Sequence, residues 1–102
     1  MNASLNKESL ELLYNAIITL ETADECRDFF EDLCTLNELR AMSQRFLVAK
    51  LLRENNVYSK IVVETGASTA TISRVKRSLS YSDSAGYSRV FERLDKLLTE
   101  DK

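Results

Sequence analysis

Tyr58-Ser-Lys-Ile-Val-Val-Glu-Thr-Gly-Ala-Ser-Thr-Ala-Thr-Ile-Ser-Arg-Val-Lys-Arg-Ser-Leu79 is the stretch whose reading decides the fold. An apolar-periodic run containing Ile61 and Val62 reaches Gly66. A polar start at Ser68 then opens a second run, in which Ile72, Val75 and Leu79 recur at i, i+3 and i+7. The pattern predicts two helices, over about 57–65 and 68–79, joined by a tight corner. Gly66 suits that corner because glycine takes positive φ without a Cβ penalty. Ser68 suits the following helix start because its hydroxyl accepts a bond from a free backbone N–H. The unit reads as a helix-turn-helix over about 57–79.

With Ile72, Val75 and Leu79 turned inward, the opposite arc of the second helix carries Ser68, Thr69, Ser73, Lys76 and Arg77, with Thr71 and Arg74 at its margins. Small hydroxyl residues at a helix start allow close approach to base edges in a major groove, and Lys and Arg toward its end suit phosphates. The pattern therefore points to duplex DNA as a partner. The other reading of the same arc is a solvated helix in a small bundle.

The rest of the chain fits a helical framework. It has 102 residues, no proline and only two glycines, Gly66 and Gly86, so almost nothing interrupts helix. The expectation is all-α, a single domain over 1–102 whose core a second copy could complete. Net charge is −2, but its distribution is uneven. Residues 40–80 hold eight basic side chains against Glu54 and Glu64, whereas residues 1–39 hold nine acids against Lys7 and Arg27. A basic centre behind an acidic leading third suits a DNA-facing end and a remote support end. The alternative is ordinary solubilising charge.

In chain order, a first helix is expected from about Lys7 to Leu20. Leu10, Leu13, Ile17 and Leu20 share a face there, widened by Leu12, Ala16 and Ile18. So broad a stripe calls for cover on more than one side, and a dimer contact would supply it. Thr22 and Glu25 form a capping-box signature opening a second helix expected to bury Ala23, Cys26, Phe29, Phe30 and Leu33. Thr35 and Glu38 repeat that signature before a third, longest helix from about Leu36 to Glu54. Leu39, Met42, Phe46, Ala49 and Leu52 recur along it, and Asn55 and Asn56 are its stop. After Leu79, residues Ser80 to Tyr87 read as a polar connection. A last helix from about Tyr87 to Thr99 carries Val90, Phe91, Leu94, Leu97 and Leu98, giving six in all.

Other chemistries find little support. The chain has no histidine, so the usual general base and any Cys/His zinc site are missing; no metal site and no enzymatic activity are expected. Cys26 and Cys34 would be separated by about 12 Å of rise on one helix, too far for a disulfide, and read as free thiols of a reducing cytoplasm. No segment approaches a membrane-spanning length and Met1–Leu10 lacks a signal-peptide pattern, so the expected location is cytoplasmic.

Residues 33–79 also carry a family resemblance. Leu-Cys-Thr-Leu-Asn-Glu-Leu-Arg-Ala-Met-Ser-Gln-Arg from Leu33, then Leu-Leu-Arg-Glu-Asn from Leu51, then Thr-Gly-Ala-Ser-Thr-Ala-Thr-Ile-Ser-Arg from Thr65, resemble the Trp repressor superfamily. Within it the chain resembles the small YerC/YecD-type Trp-repressor-related proteins of Gram-positive bacteria. The resemblance implies a six-helix subunit in an intertwined homodimer that presents two recognition helices to a two-fold symmetric operator. It places base-facing positions on Thr69, Ala70 and Ser73, beside Ser68, with Lys76 and Arg77 near phosphates. It also implies an effector pocket at Arg45 and Arg74, with Thr35 and Ser78 as further members; Arg45 is reached across a one-residue gap in the long helix. The residue after the second pocket arginine is glycine in the classical repressor and Val75 here. A branched side chain there fills space an indole needs, which argues against L-tryptophan as corepressor. The small-molecule effector is left unidentified.

The expected function is a homodimeric, sequence-specific DNA-binding transcriptional regulator, in the first instance a repressor that occludes a promoter. Its half-sites would lie about 34 Å apart. The runner-up is a protein-interaction module that uses the same fold without specific DNA binding.

Overall fold

Six α-helices follow one another in the computed structural model, which describes residues 6–80 and 85–100, and those residues include no strand. They are α1 (Lys7–Ile17), α2 (Ala23–Leu33), α3 (Leu36–Arg53), α4 (Tyr58–Thr65), α5 (Thr69–Ser80) and α6 (Ala85–Glu100). The expected count and order are therefore found. Backbone contacts gather them into two units, one ending at Leu39 and the other beginning at Arg40.

The first unit is defined by its caps. Asn6 accepts the Ser9 N–H at 3.0 Å to start α1. Thr22 Oγ1 accepts the Glu25 N–H at 3.1 Å, and the Glu25 carboxylate reaches back to the Glu21 N–H at 2.9 Å. At the start of α3 the capping box closes on a single pair. Thr35 Oγ1 accepts the Glu38 N–H at 3.1 Å, and Glu38 Oε1 accepts the Thr35 N–H at 2.7 Å. That backbone donor holds the Glu38 carboxyl below the ordinary carboxylate range. Stabilisation from this cap is present at neutral pH and is lost as pH falls through the lowered value.

Two expectations fail in this unit. Helix α1 ends at Ile17 rather than Leu20, because the chain tightens into i→i+3 bonds, Thr19 N–H to Ala16 O and Leu20 N–H to Ile17 O. More consequentially, α2 buries nothing within one chain. Ala23 and Leu33 are exposed, and Cys26, Phe29 and Phe30 are only half-buried. Helix α1 likewise has no buried residue, and Leu12 and Ile18 are 72% and 77% exposed. The periodicity marked the right faces, but a pair of 11-residue helices supplies too few layers to cover them. Cys26 and Cys34 are free thiols, but they do not share one buried helix face: both are half-buried, and Cys34 lies past the end of α2 in extended backbone.

The second unit has a true core: Val48, Ala49 and Leu51 of α3, Ile61 of α4, Ala67 of the turn, Ile72 and Val75 of α5, and Phe91 of α6. Leu52, Tyr58, Val62, Leu79 and Tyr87 pack around it. The buried part of α3 is its C-terminal half; Met42 and Phe46 on the same helix are each 37% exposed. Asn55 takes φ 65° to end α3, and Asn56 donates both its backbone N–H and its side-chain amide to Leu51 O. Helix α6 is fixed on α3 by Phe91, whose ring lies near-parallel to Phe46 at 5.1 Å, and by Arg53, which makes a two-pronged contact with Asp95. The Arg53 guanidinium holds the Asp95 carboxyl below its ordinary range.

The expected polar connection from Ser80 to Tyr87 is shorter than the sequence suggests. Ser80 closes α5, and Ala85, Gly86 and Tyr87 already belong to α6; residues 81–84 of that connection lie outside the described residues. Glycine is tolerated there because the first helical turn lacks upstream hydrogen-bond partners whatever its sequence.

The two glycines make opposite predictions. Gly66 sits at φ 71°, with open space where a Cβ would go, so Gly66→Ala pays only for the left-handed backbone, about 1–2 kcal/mol. Gly86 lies in helix with equally open space, so Gly86→Ala is expected to stabilise by up to about 1 kcal/mol. Denaturant titration of the two variants checks the opposite signs.

Candidate nucleic-acid interface

The corner between α4 and α5 is built from Thr65, Gly66, Ala67 and Ser68. Left-handed Gly66 returns its N–H to Val62 O at 2.9 Å and so closes α4. Thr65 then serves both sides of the turn: its hydroxyl donates to Ile61 O at 2.8 Å and accepts the Ala67 N–H at 3.0 Å. From α3, the Gln44 side-chain amide donates to Thr65 O at 3.1 Å. Ala67 is 2% exposed, small enough to be buried at the corner itself. Ser68 Oγ accepts the Thr71 N–H at 3.1 Å and caps α5, as its position predicts. Val62, bulkier than the alanine usual at such crossings, is accommodated as a half-buried residue against the core.

This frame fixes the orientation of α5. Ile72 is fully buried and Val75 is 3% exposed, while Leu79 packs against them half-buried. The opposite surface therefore faces outward: Ser68, Thr69, Ala70, Ser73, Arg74, Lys76 and Arg77 are exposed. Thr71 is half-buried at the margin. The hydroxyls of Thr69 and Ser73 make no hydrogen bond among the described residues.

The ion pairs sort the eight basic residues of the 40–80 stretch into two groups. Lys50 pairs with Glu54 at 2.8 Å, Arg53 with Asp95 at 2.7 Å and Lys60 with Glu64 at 3.8 Å. Among the described residues Arg40, Arg45, Arg74, Lys76 and Arg77 have no such partner. Three of those five lie on α5. The Lys76 ammonium stands 5.6 Å from the centre of the Tyr58 ring.

The four residues of the expected effector pocket have separate settings. Thr35 belongs to the first unit and its hydroxyl is used in the cap of α3. Arg45 and Arg74 are exposed on α3 and α5. The Ser78 hydroxyl donates to Arg74 O at 3.4 Å, and the residue also lines an open, largely apolar cleft of about 510 Å³ with Phe46, Gly86, Tyr87 and Val90. The Val75 side chain is committed to the core beside Ile72 and Phe91.

Sequence reasoning missed Gln44, Thr65 and Asn6 as positioning residues. Asn6 carried a legible signal, since asparagine is a preferred helix cap. The contact of Gln44 with Thr65 spans 21 residues, and nothing local to either announces it.

The geometry agrees with comparisons against known proteins. The family model described as Trp repressor protein matches residues 8–95. The protein YerC of Bacillus subtilis (strain 168), itself uncharacterized, is 50% identical over 96 residues, covering 94% of this chain and 91% of its own. The crystal structure of a TrpR-like protein from Eubacterium eligens ATCC 27750 superposes with a TM-score of 0.81 at 57% identity, covering 92% of this chain and 96% of that one. A candidate Trp repressor from Staphylococcus aureus gives the same TM-score at 47% identity, with 88% and 89% covered. With a match from α1 into α6 and the same helical framework in solved relatives, the chain belongs to the Trp repressor family.

Proposed function

We propose that the protein is a cytoplasmic, sequence-specific DNA-binding transcriptional regulator that represses by occluding a promoter and works as a homodimer. The observation that carries this reading is the outward face of α5. Hydroxyls at its start and cations toward its end are held rigidly by a buried apolar face, and the cations are not neutralised by acids among the described residues. Family membership supports it, because the family is one of regulators rather than enzymes. No helix among the described residues is long and apolar enough to cross a membrane.

In this mechanism Ser68, Thr69, Ala70 and Ser73 enter the major groove, where short side chains bring the helix backbone close to base edges. Lys76 and Arg77 meet phosphates and supply affinity through counterion release. A second copy covers the exposed apolar faces of α1 and α2 and sets two α5 helices for a two-fold operator. Arg45, Arg74, Ser78 and Thr35 remain the proposed setting of an effector, with L-tryptophan disfavoured by Val75.

Thr69→Asp places a carboxylate in the first turn of α5, where the helix dipole tolerates it but a phosphate-rich groove does not. Helix content by circular dichroism is expected to stay intact while operator binding by fluorescence anisotropy is abolished; unchanged affinity sinks the groove assignment. Lys76→Ala and Arg77→Ala should each lower the salt slope of binding by about one unit per lost phosphate contact. The protein-interaction alternative predicts insensitivity to both.

At micromolar concentration, analytical ultracentrifugation is expected to give twice the 11.6 kDa chain mass, and a monomer mass counts against the assembly. Calorimetry with L-tryptophan is expected to show weak or absent binding, and micromolar affinity would show that the space beside Val75 opens.

A further inference from the structure

At the margin of the outward face of α5, Lys76 stands where two clefts of the second unit meet. One, of about 370 Å³, has a floor of Leu52, Leu79 and Phe91 and an edge of Asn55, Ser80 and Ser88, with Arg53 and Lys76 as its charged members. The other, of about 380 Å³, continues from Leu52, Asn55 and Lys76 to Asn56, Val57 and Tyr58. Among the described residues, no acidic residue lines either cleft. The two cations of the first cleft differ in what they already hold. Arg53 is engaged by Asp95 at 2.7 Å and stacked over Phe91 at 4.9 Å, whereas among the described residues Lys76 has only the Tyr58 ring. A ring face is readily exchanged for a full negative charge, because an ammonium gains more from an anion that also accepts its hydrogen bonds.

We propose that the first cleft binds a small organic carboxylate with an apolar body. The apolar portion rests on Leu52, Leu79 and Phe91, and the carboxylate accepts from the Lys76 ammonium and from the hydroxyl of Ser88; the Ser80 hydroxyl, which donates to Lys76 O at 2.9 Å, only borders the site. The volume lies within the range of small-molecule sites, and an apolar floor with a few polar groups is their usual construction. The site is distinct from the Arg45, Arg74, Ser78 and Thr35 setting, with which its lining shares no residue. Resting on the DNA-binding reading, one consequence is regulatory. An anion that holds Lys76 in the cleft withdraws it from phosphate, so the ligand and DNA oppose each other by a reciprocal coupling.

The test titrates isotope-labelled full-length protein with 3-phenylpropionate, and separately with the neutral 3-phenylpropanol, at pH 7 and constant ionic strength, following backbone amide resonances. Saturable shifts at Leu52, Ser80 and Ser88 are expected for the acid, with millimolar affinity at least tenfold tighter than for the alcohol. Lys76→Gln is expected to remove that preference and Lys76→Arg to keep it. Equal response to acid and alcohol, shifts centred instead on Phe46 and Val90, no saturable shift at all, or an unchanged preference in Lys76→Gln would each overturn the site. In a second arm, saturating 3-phenylpropionate is expected to weaken duplex binding by wild type several-fold and to leave that of Lys76→Gln unmoved; an equal effect on both overturns the coupling. If the protein binds no duplex under any condition, the DNA reading fails, while the amide titration still decides the cleft.

Discussion

Everything in the second unit depends on the burial of a few branched side chains where four helices meet. Val48 of α3, Ile61 of α4 and Ile72 of α5 are the largest fully buried side chains, and Phe91 of α6 closes the group. Each aliphatic member contributes about 2 kcal/mol by leaving water. Their greater effect is geometric: once Ile72 and Val75 are inside, the outward positions of α5 have no freedom to choose another face. The outward face of α5 is thus a consequence of the core, and the polar bonds at the corner, from Gln44 to Thr65 and from Ala67 to Thr65, refine a placement that apolar packing has already made.

The first unit is built on the opposite principle. Its helices are well capped and amphipathic, yet the apolar faces of α1 and α2 remain open to solvent in a single chain. Good caps stabilise helix ends, but they bury no apolar area. An acidic, incompletely covered unit and a basic, well-packed one suit the proposed division of labour, in which one part assembles and the other touches nucleic acid.

What the sequence disclosed follows from which constraints are local. The turn at Gly66, the caps at Ser68 and Thr35, the stop at Asn55 and the inward face of α5 each depend on neighbours a few positions away, and all were legible. The burial of α2 was misread because periodicity names a face without saying whether the same chain supplies its cover. The early start of α6 was misread because Gly86 resembles a breaker until its place in a first helical turn is known. Of the candidate site, the exposed arc was legible; what was not was which cations are free. The pairing of Arg53 with Asp95 joins residues 42 apart, and only the fold shows that it leaves Lys76 the less engaged of the two.

The most direct test of the central claim is selection of bound sequences from a random duplex library, using the purified full chain at moderate salt with and without L-tryptophan. Enrichment of a palindrome, read by two α5 helices, is expected in both conditions. Absence of any enriched sequence in either would contradict specific DNA recognition and turn attention to a protein partner for the same helical face.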